Sequence, residues 1–280
     1  MNKSYQELIR YWFAEDIGDG DHTSLSCIPE TAQGKSQLII KEKGVLAGVN
    51  LAREIFHAFD SQLKMTVFIE DGADVTIGDI AFEVEGKVLS LLQTERLMLN
   101  AMQRMSGIAT VTRKYADELK GLKTKVLDTR KTTPGLRMLE KEAVKIGGGT
   151  NHRIGLFDML LLKDNHVDFA GGIANAINRA KQYCKDNNKD LKIEIEVRNF
   201  DELQQALDCG GMNRIMLDNF TPEDTKKAVQ LIAGKYEIES SGNITLETLR
   251  AYGECGVDYI SVGALTHSVK SLDMSFKAVK

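Results

Sequence analysis

The sequence predicts an α/β protein in two parts, a small α+β unit followed by a parallel α/β barrel. The chain has 280 residues, which exceeds the usual size of one compact domain. Its composition, 42% hydrophobic and 27% charged with three prolines, is that of an ordinary globular protein. In the second half, short apolar strands alternate with helical stretches. The later strands begin at intervals of about 22 residues, close to the length of one βα unit.

The first part contains helical and strand-like segments in mixed order. Apolar residues at helical spacing predict helices over 2–14 and Val49–Phe59. A long helical tract over Leu89–Leu119, with Gly107 as a candidate break, leads into the second part. The methionines of 97–105 lie at helical spacing, which indicates core packing rather than cofactor contacts. The predicted strands of this part are Ser36–Ile40, Lys64–Ile69 and Ile80–Glu85.

The predicted strands of the second part are short and apolar, and each is followed by a polar or glycine-containing turn. They are Thr124–Leu127, Met159–Leu162, Lys192–Val197, Arg214–Leu217, Tyr236–Ile238 and Tyr259–Val262. The residues at their ends read DTRK, KDNH, EIEVR, LDN, ESSG and VGALTHS. Because barrel active sites lie at the carboxyl ends of the strands, these clusters predict one common site and favour a barrel over a doubly wound sheet.

The charge distribution indicates local binding of anions. The formal net charge of -4 gives no general attraction to nucleic acid or to an anionic membrane, so we expect neither as a partner. Between Asp128 and His166, however, cationic side chains are in excess. Arg130 and Lys131 lie on a turn-forming loop, where an arginine can grip a carboxylate or phosphate with two hydrogen bonds. A solvated basic loop is the alternative.

A glycine triplet, Gly147–Gly149, stands in the same stretch and is followed by Thr150-Asn-His-Arg153. Glycine lets backbone N–H groups approach an anion closely, so the triplet predicts an anion cradle, with a plain turn as the alternative. Lys163 and His166 follow a strongly apolar strand and are expected at the barrel rim.

Three cations of this stretch are left out of the predicted site. Lys141 and Lys145 alternate with glutamates, which predicts a solvated helix face. Arg137 is excluded with them.

Carboxylates follow at two later strands. Glu194 and Glu196 alternate with apolar residues, which places both on one face of a strand. A carboxylate inside a barrel is unfavourable unless it is paired or binds a cation. Glu196 and Asp218, at successive strand ends, therefore predict a metal or sugar-hydroxyl site, with salt bridges to the basic cluster as the alternative.

Two turns after the last strands carry the small residues that a phosphate site needs, Glu239–Gly242 and Gly263–His267. Barrels frequently bind phosphate at these turns through backbone N–H groups. Either turn alone is a weak signal, because single glycine turns are common.

The remaining sequence features limit the kind of protein that this chain can be. Widely spaced cysteines predict buried free thiols rather than disulfides or a zinc site. The N-terminus is amphipathic and acidic, and no apolar run approaches the ~20 residues of a membrane span, so we expect a cytoplasmic protein without a membrane partner.

Taken together, DTRKTTPGLRMLEKEAVKIGGGTNHRIGLFDMLLLKDNH resembles the quinolinate phosphoribosyltransferase family, whose members are nicotinate-nucleotide pyrophosphorylases (carboxylating). Further motifs follow the order of that family over nearly the whole chain. They are EDIGDGDHTS, TERLMLNAMQRMSGIAT, EIEV, IMLDNF, ESSGNI and GVDYISVGALTHS.

The resemblance implies an N-terminal α/β sandwich domain over 1–106, joined by 268–280, and an incomplete parallel α/β barrel over 107–267. It implies phosphoribosyl transfer from phosphoribosyl pyrophosphate to quinolinate with decarboxylation. The products are nicotinate mononucleotide, pyrophosphate and carbon dioxide, in de novo NAD biosynthesis, with Mg²⁺ as cofactor. It further implies a homodimer whose active site is shared between subunits, with a higher oligomer left open.

The resemblance also implies roles for individual residues. The residues that bind the quinolinate carboxylates are Arg130, His152, Arg153 and Lys163, with Arg96 of the partner subunit; we call this set the carboxylate clamp. The implied catalytic residues are Lys131, which faces the pyrophosphate, with Lys163, Glu196 and Asp218. Glu196 and Asp218 bind the ribose hydroxyls and the metal, directly or through water. The residues implied for the phosphoribosyl group are Glu239, Ser241, Gly242, Gly263 and His267.

Two positions depart from the family pattern. His22 stands where an aliphatic residue is usual, and Asn243 follows Ser-Gly where a second glycine is usual. Asparagine tolerates a positive φ, so we expect this loop to keep its shape.

Two alternatives share parts of the pattern. One is a paralogous pyrophosphorylase of the same fold that uses another acceptor, and the complete carboxylate clamp argues against it. The other is a non-catalytic barrel that binds phosphate ligands, and retention of Glu196, Asp218 and Lys163 argues against that.

Overall fold

A computed structural model describes residues 3–279, with side chains from Tyr5 onward. The chain divides into two compact units, 1–111 with 269–280, and 112–268. The predicted α/β class is confirmed, with an antiparallel sheet in the first unit and a parallel sheet in the second. Residue 2, the start of the predicted first helix, lies outside the described residues.

The helices and strands are numbered in chain order. Up to the long helix they are α1 (Lys3–Ile17), α2 (His22–Cys27), β1 (Gln33–Ile40), β2 (Gly44–Val45), α3 (Val49–Phe59), β3 (Lys64–Val67), β4 (Asp74–Val75), β5 (Ile80–Lys87) and α4 (Val88–Glu118). Then come β6 (Lys125–Leu127), α5 (Arg137–Ile146), β7 (Leu160–Leu162), α6 (Asp164–Ala170), α7 (Ile173–Asp186), β8 (Ile193–Val197), α8 (Phe200–Cys209), β9 (Arg214–Asp218), α9 (Pro222–Ile232), β10 (Glu237–Ser241), α10 (Leu246–Glu254), β11 (Tyr259–Ser261), α11 (Ala264–His267) and β12 (Met274–Ala278).

The first unit is built on a four-stranded sheet in the order β12-β1-β5-β3. Strand β12 pairs with β1, with Leu38 opposite Phe276, so a segment from the C-terminal part of the chain completes the sheet of the first unit. The ring of Phe276 lies 6.0 Å from that of Phe56 and 6.4 Å from that of Phe82, measured between centroids. All three rings are buried, and they join α3 to the sheet in one apolar core.

Helix α4 runs without a break through Gly107, so the candidate break in this tract was wrong. A Cβ atom at Gly107 would lie 2.3 Å from the carbonyl oxygen of Lys270. The glycine therefore lets the returning C-terminal segment approach the helix backbone. The methionines at 98, 102 and 105 are buried, which confirms the predicted core role.

The second unit is an incomplete parallel barrel, as predicted. Its six strands are ordered β6-β11-β10-β9-β8-β7, and the ladder is open between β6 and β7. Thr150 adds a short parallel bridge to Leu127 at the free edge of β6. Strand β10 extends beyond the predicted end at Ile238, because the polar residues Glu239 and Ser240 are buried in the ladder instead of forming a turn.

The sequence also led to expectations about membrane-spanning segments and about the cysteines. None of the described helices combines the length and apolar character needed to cross a bilayer. The cysteines are free, as predicted, but they are not buried: Cys27 is exposed and the other three are half-buried. The prediction of buried thiols was therefore wrong.

We predict that Phe276→Ala destabilises the first unit by about 3–5 kcal/mol, because it opens a cavity between two other buried rings. Chemical denaturation followed by circular dichroism measures the change. Lys277→Ala, at the exposed neighbouring position of the same strand, is the control and should have little effect. An unchanged denaturation midpoint for Phe276→Ala would show that β12 is not part of the stable core.

Candidate active site

The carboxyl ends of the barrel strands carry most of the polar residues singled out in the sequence. Because parallel strands end at the same edge of the sheet, these residues converge although the chain separates them. They enclose a cavity of about 330 Å³ within the second unit. Its lining residues are Thr129, Arg130, Lys131, His152, Arg153, Leu161, Lys163, Met216, Glu239, Ser241 and Ser261.

The basic side of the cavity is formed by Arg130, His152, Arg153 and Lys163, the four clamp residues predicted within one subunit. Arg153 is fixed from behind, where its Nη1 donates to the carbonyl of Met159 at 3.1 Å. Burial lowers the pKa of Arg153, and the neighbouring Arg130 lowers it further. The Nε of Arg130 is buried without a hydrogen-bond partner among the described residues. This side of the cavity thus brings four basic side chains together, and Arg130 Nε is a donor still available to a carboxylate.

The glycine triplet does not form an anion cradle, so that prediction was wrong. The N–H groups of Gly147, Gly148 and Gly149 donate to carbonyls of α5, at 3.0, 2.9 and 2.9 Å. Gly148 has φ of +95°, the left-handed conformation that ends many helices. The triplet therefore terminates α5 and turns the chain toward His152.

Lys141 is buried, which corrects its assignment to a solvated helix face. Its side chain is 1% exposed and forms an ion pair with the buried carboxylate of Asp128. Lys145 behaves as predicted, since it pairs with Glu142 at the surface. The spacing of apolar residues identifies the buried face of α5. Only the fold supplies the buried carboxylate that allows Lys141 to lie on that face.

His152 faces two carboxylates inside the barrel. Its Nε2 lies 3.1 Å from Glu194 Oε2 and 3.3 Å from Glu239 Oε2. Burial alone lowers the pKa of His152, but the two carboxylates outweigh burial and raise it to about 9. The backbone N–H of Arg153 points at Nδ1 at 2.7 Å and opposes a second ring proton. As placed, the ring is therefore the tautomer with its proton on Nε2, and a second proton on Nδ1 requires the Arg153 N–H to turn away.

Arg214 completes this buried cluster. Its Nη1 lies 3.0 Å from Glu239 Oε2 and 3.8 Å from Glu194 Oε2, and its guanidinium stacks 4.1 Å from the ring centroid of Tyr259. Burial raises the pKa of Glu194, and the nearby Glu239 raises it further. The ligand atoms of His152, Glu194 and Glu239 are close enough for a metal ion, but the Arg214 guanidinium already pairs with both carboxylates.

Glu239 lies deeper than expected. It was predicted at the rim beside a phosphate, yet it is fully buried and contacts His152 and Arg214. An anionic carboxylate paired in this way supports the basic wall of the cavity and is a poor phosphate ligand.

Glu196 lies beside Lys163 at the cavity mouth, with Oε2 and Nζ 3.7 Å apart. Burial raises the pKa of Glu196, the Lys163 ammonium opposes this, and the Asp218 carboxylate, on the paired strand β9, raises it again. Glu196 thus forms a salt bridge to the basic cluster, and the carboxylates of Glu196 and Asp218 also offer oxygen ligands.

The turns after β10 and β11 are closely packed against neighbouring residues. Gly242 has φ of +99°, and a Cβ atom there would lie 2.3 Å from Asn219 Oδ1. Asn243 has φ of +51°, which confirms that asparagine accepts the positive φ expected there. A Cβ atom at Gly263 would lie 3.0 Å from Lys131 Cδ and 3.1 Å from the His267 ring. Glycine at these positions keeps both turns compact and brings Lys131 beside the last turn.

Comparison with known proteins identifies the family. One family model, described as the N-terminal domain of quinolinate phosphoribosyl transferase, matches residues 21–106, and the corresponding C-terminal domain matches residues 108–277. The chain belongs to the quinolinate phosphoribosyl transferase family. The motifs that suggested this resemblance are thus part of a match over nearly the whole sequence.

Several members of the family are similar to this chain over most of their own length. Quinolinate phosphoribosyltransferase [decarboxylating] 1 of Nicotiana glauca is 45% identical over 285 residues, which cover 96% of this chain and 81% of that protein. A probable nicotinate-nucleotide pyrophosphorylase [carboxylating] of Bacillus subtilis (strain 168) is 42% identical, with 96% and 92% covered. The solved nicotinate-nucleotide pyrophosphorylase from Francisella tularensis superposes with a TM-score of 0.92 at 41% identity, over 100% and 97% of the chains.

Sequence reasoning placed only some of the residues of this site. The predicted site left out Asp128, Lys141, Glu194 and Arg214, which are buried or nearly so and do not line the cavity. A charged residue inside an apolar strand, as at Arg214 before Ile-Met-Leu, was the available signal for that position. Arg96 is exposed on α4 and belongs to the first unit, so it is not part of this cavity lining.

We predict that the His152 ring titrates with a pKa of about 9, well above the ordinary 6.5. Its charge therefore stabilises the fold fully below pH 6.5, and the contribution is lost as the pH rises through about 9. NMR titration of the ring measures the pKa directly. Glu239→Gln should lower it, because one carboxylate is removed. Glu237→Gln, on the same strand but paired with Arg214, is the control. A His152 pKa near 6.5 in the wild type contradicts the assignment.

Proposed function

We infer that this chain transfers the phosphoribosyl group of phosphoribosyl pyrophosphate to quinolinate with loss of carbon dioxide. The products are nicotinate mononucleotide and pyrophosphate, the de novo route to NAD. The observation that carries this inference is the convergence of Arg130, His152, Arg153 and Lys163 on one cavity in a chain of this family. Quinolinate is a dianion, and this wall supplies the cationic donors that two adjacent carboxylates require.

The reaction needs positioning and electrostatic stabilisation more than covalent catalysis. A bond forms between the pyridine nitrogen and C1 of the ribose, and the bond from C1 to the pyrophosphate oxygen breaks. The C2 carboxylate leaves as carbon dioxide, its electron pair stays on C2 beside the cationic nitrogen, and a proton then takes its place. The clamp fixes the ring nitrogen toward C1, and cationic groups neutralise the departing pyrophosphate.

Lys131 is suited to the pyrophosphate side of the cavity. It is exposed, its stem packs against Gly263, and Thr266 Oγ1 donates to its carbonyl at 2.9 Å. These contacts hold the loop while the ammonium stays free to approach solvent or substrate. We propose that Ser241, Gly242, Gly263 and His267 surround the 5-phosphate of the second substrate.

Glu196 and Asp218 are the proposed ligands of Mg²⁺. They fit this ion because carboxylates supply hard oxygen donors and because both lie at the carboxyl ends of the paired strands β8 and β9. When bound, the ion would neutralise charge on the pyrophosphate. The carboxylates themselves are also suited to hold the ribose hydroxyls.

We propose that the protein acts as a homodimer in which Arg96 of one subunit completes the clamp of the other. Arg96 is exposed on α4, where it is available to a neighbouring chain. Leu156, Phe157 and Phe169 of the second unit are 68%, 73% and 91% exposed, and large exposed apolar side chains favour association.

The first test of this proposal is an assay with purified protein, phosphoribosyl pyrophosphate and Mg²⁺. We expect consumption of quinolinate with one equivalent of carbon dioxide released, little use of nicotinate, and loss of turnover on chelation of the metal. The clamp explains the selectivity, since nicotinate lacks the second carboxylate. Turnover of nicotinate with quinolinate inert would overturn the assignment.

A second test addresses the shared site. Arg96→Ala and Lys163→Ala proteins should each be inactive, and mixing them should restore activity, because a mixed dimer contains one site with both residues intact. Random exchange gives at most about a quarter of the wild-type rate in a symmetric dimer. Mixing two samples of Arg96→Ala is the control. Confirmed subunit exchange without recovery would place Arg96 outside a shared site.

A further inference from the structure

Behind the carboxylate clamp lies a buried ion pair that the proposed reaction does not use. The Asp128 and Lys141 side chains are 0% and 1% exposed, and neither lines the cavity. Burial raises the pKa of Asp128 and lowers that of Lys141, so desolvation disfavours both charges. Apolar residues of similar volume are often as stable as such a pair. Stability alone therefore does not explain why these charges are placed here.

The pair binds both backbone groups of one clamp residue. The N–H of His152 donates to Asp128 Oδ1 at 2.9 Å, and Lys141 Nζ donates to the His152 carbonyl at 3.1 Å. The peptide planes on both sides of His152 are thereby fixed. Because the next residue is Arg153, the same two contacts set the directions in which two adjacent clamp side chains leave the backbone.

A third residue fixes the pair itself. With the Asn151 amide oriented so that its nitrogen faces these two acceptors, it donates to Asp128 Oδ2 at 3.0 Å and to the Lys141 carbonyl at 2.9 Å. Asp128 is also held through its backbone, where its N–H donates to Thr150 O at 3.1 Å. Both carboxylate oxygens are thus occupied, and the carboxylate is tied to strand β6 and helix α5. The segment that carries His152 and Arg153 is therefore anchored to both β6 and α5.

We propose that Asp128 and Lys141 are positioning residues that aim His152 and Arg153 at the dicarboxylate substrate. This inference rests on the proposed function, since it assigns the clamp to quinolinate. Neither residue touches the substrate. Loss of the pair should weaken quinolinate binding and leave the phosphoribosyl side, at Ser241 and Gly263, unaffected.

The test is the double variant Asp128→Asn/Lys141→Met, which removes both charges at similar volume and leaves no lone buried ion. We expect the KM for quinolinate to rise on the order of tenfold or more, because small displacements of binding groups have effects of this size. The KM for phosphoribosyl pyrophosphate should stay within about twofold. A smaller folded fraction would lower kcat without moving either KM. Calorimetry of quinolinate binding gives the same comparison without turnover.

The matched control is Glu142→Gln/Lys145→Met, which removes the exposed ion pair of the same helix and should leave both KM values unchanged. Asn151→Leu keeps both charges and loses only the bracing amide, so it provides the test if the double variant does not fold. Its expected effect is a smaller rise, about threefold, in the KM for quinolinate.

The outcomes separate the two proposals. Wild-type protein that fails to turn over quinolinate overturns the proposed function. An active wild type with an unchanged quinolinate KM in the folded double variant, or in Asn151→Leu if the double variant is unfolded, overturns the positioning role. Equal rises in both KM values also overturn it, because they indicate a general distortion of the barrel rim.

Discussion

Charge compensation inside the barrel is the constraint on which the site depends. Glu194, Glu239 and Asp128 are fully buried, and a buried carboxylate is tolerated only with a partner. Arg214 and His152 pair with the first two, and Lys141 pairs with the third. The result is a basic cavity wall whose cations are held from behind by carboxylates. The wall can face a dianionic substrate while the interior stays close to neutral.

Backbone geometry decides which cations reach the cavity. Parallel strands bring their carboxyl ends to one edge, so residues from β6, β7 and β10 meet without a long-range sequence signal. The glycine triplet contributes indirectly, by ending α5 and releasing the chain toward His152. Gly242 and Gly263 keep the late turns tight, and the compact turn at Gly263 brings Lys131 to the same edge. The site is therefore assembled from strand ends and short turns rather than from one continuous segment.

The predicted site and the observed cavity agree best in the loops that follow strands β6 and β7. Arg130, Lys131 and Lys163 all follow strands, and all line the cavity. The prediction was weaker for how deeply a residue lies in the barrel. Alternation of apolar and polar residues identifies a face of a strand, but it does not give the distance from the barrel rim. Glu239 was expected at the rim and is instead fully buried beside His152. Lys141 was expected in solvent and is the most completely buried lysine of its helix.

The sequence by itself determined the fold class, the strand order along the chain and most of the cavity-lining residues. These follow from hydrophobic period, turn residues and the rule that barrel sites lie at strand ends. Only the tertiary structure decided which charges pair in the interior, that Gly107 accommodates a returning segment, and that three glycine N–H groups serve a helix end. Such pairings depend on distances between segments far apart in the chain. These pairings therefore cannot be identified from residue spacing in a single sequence.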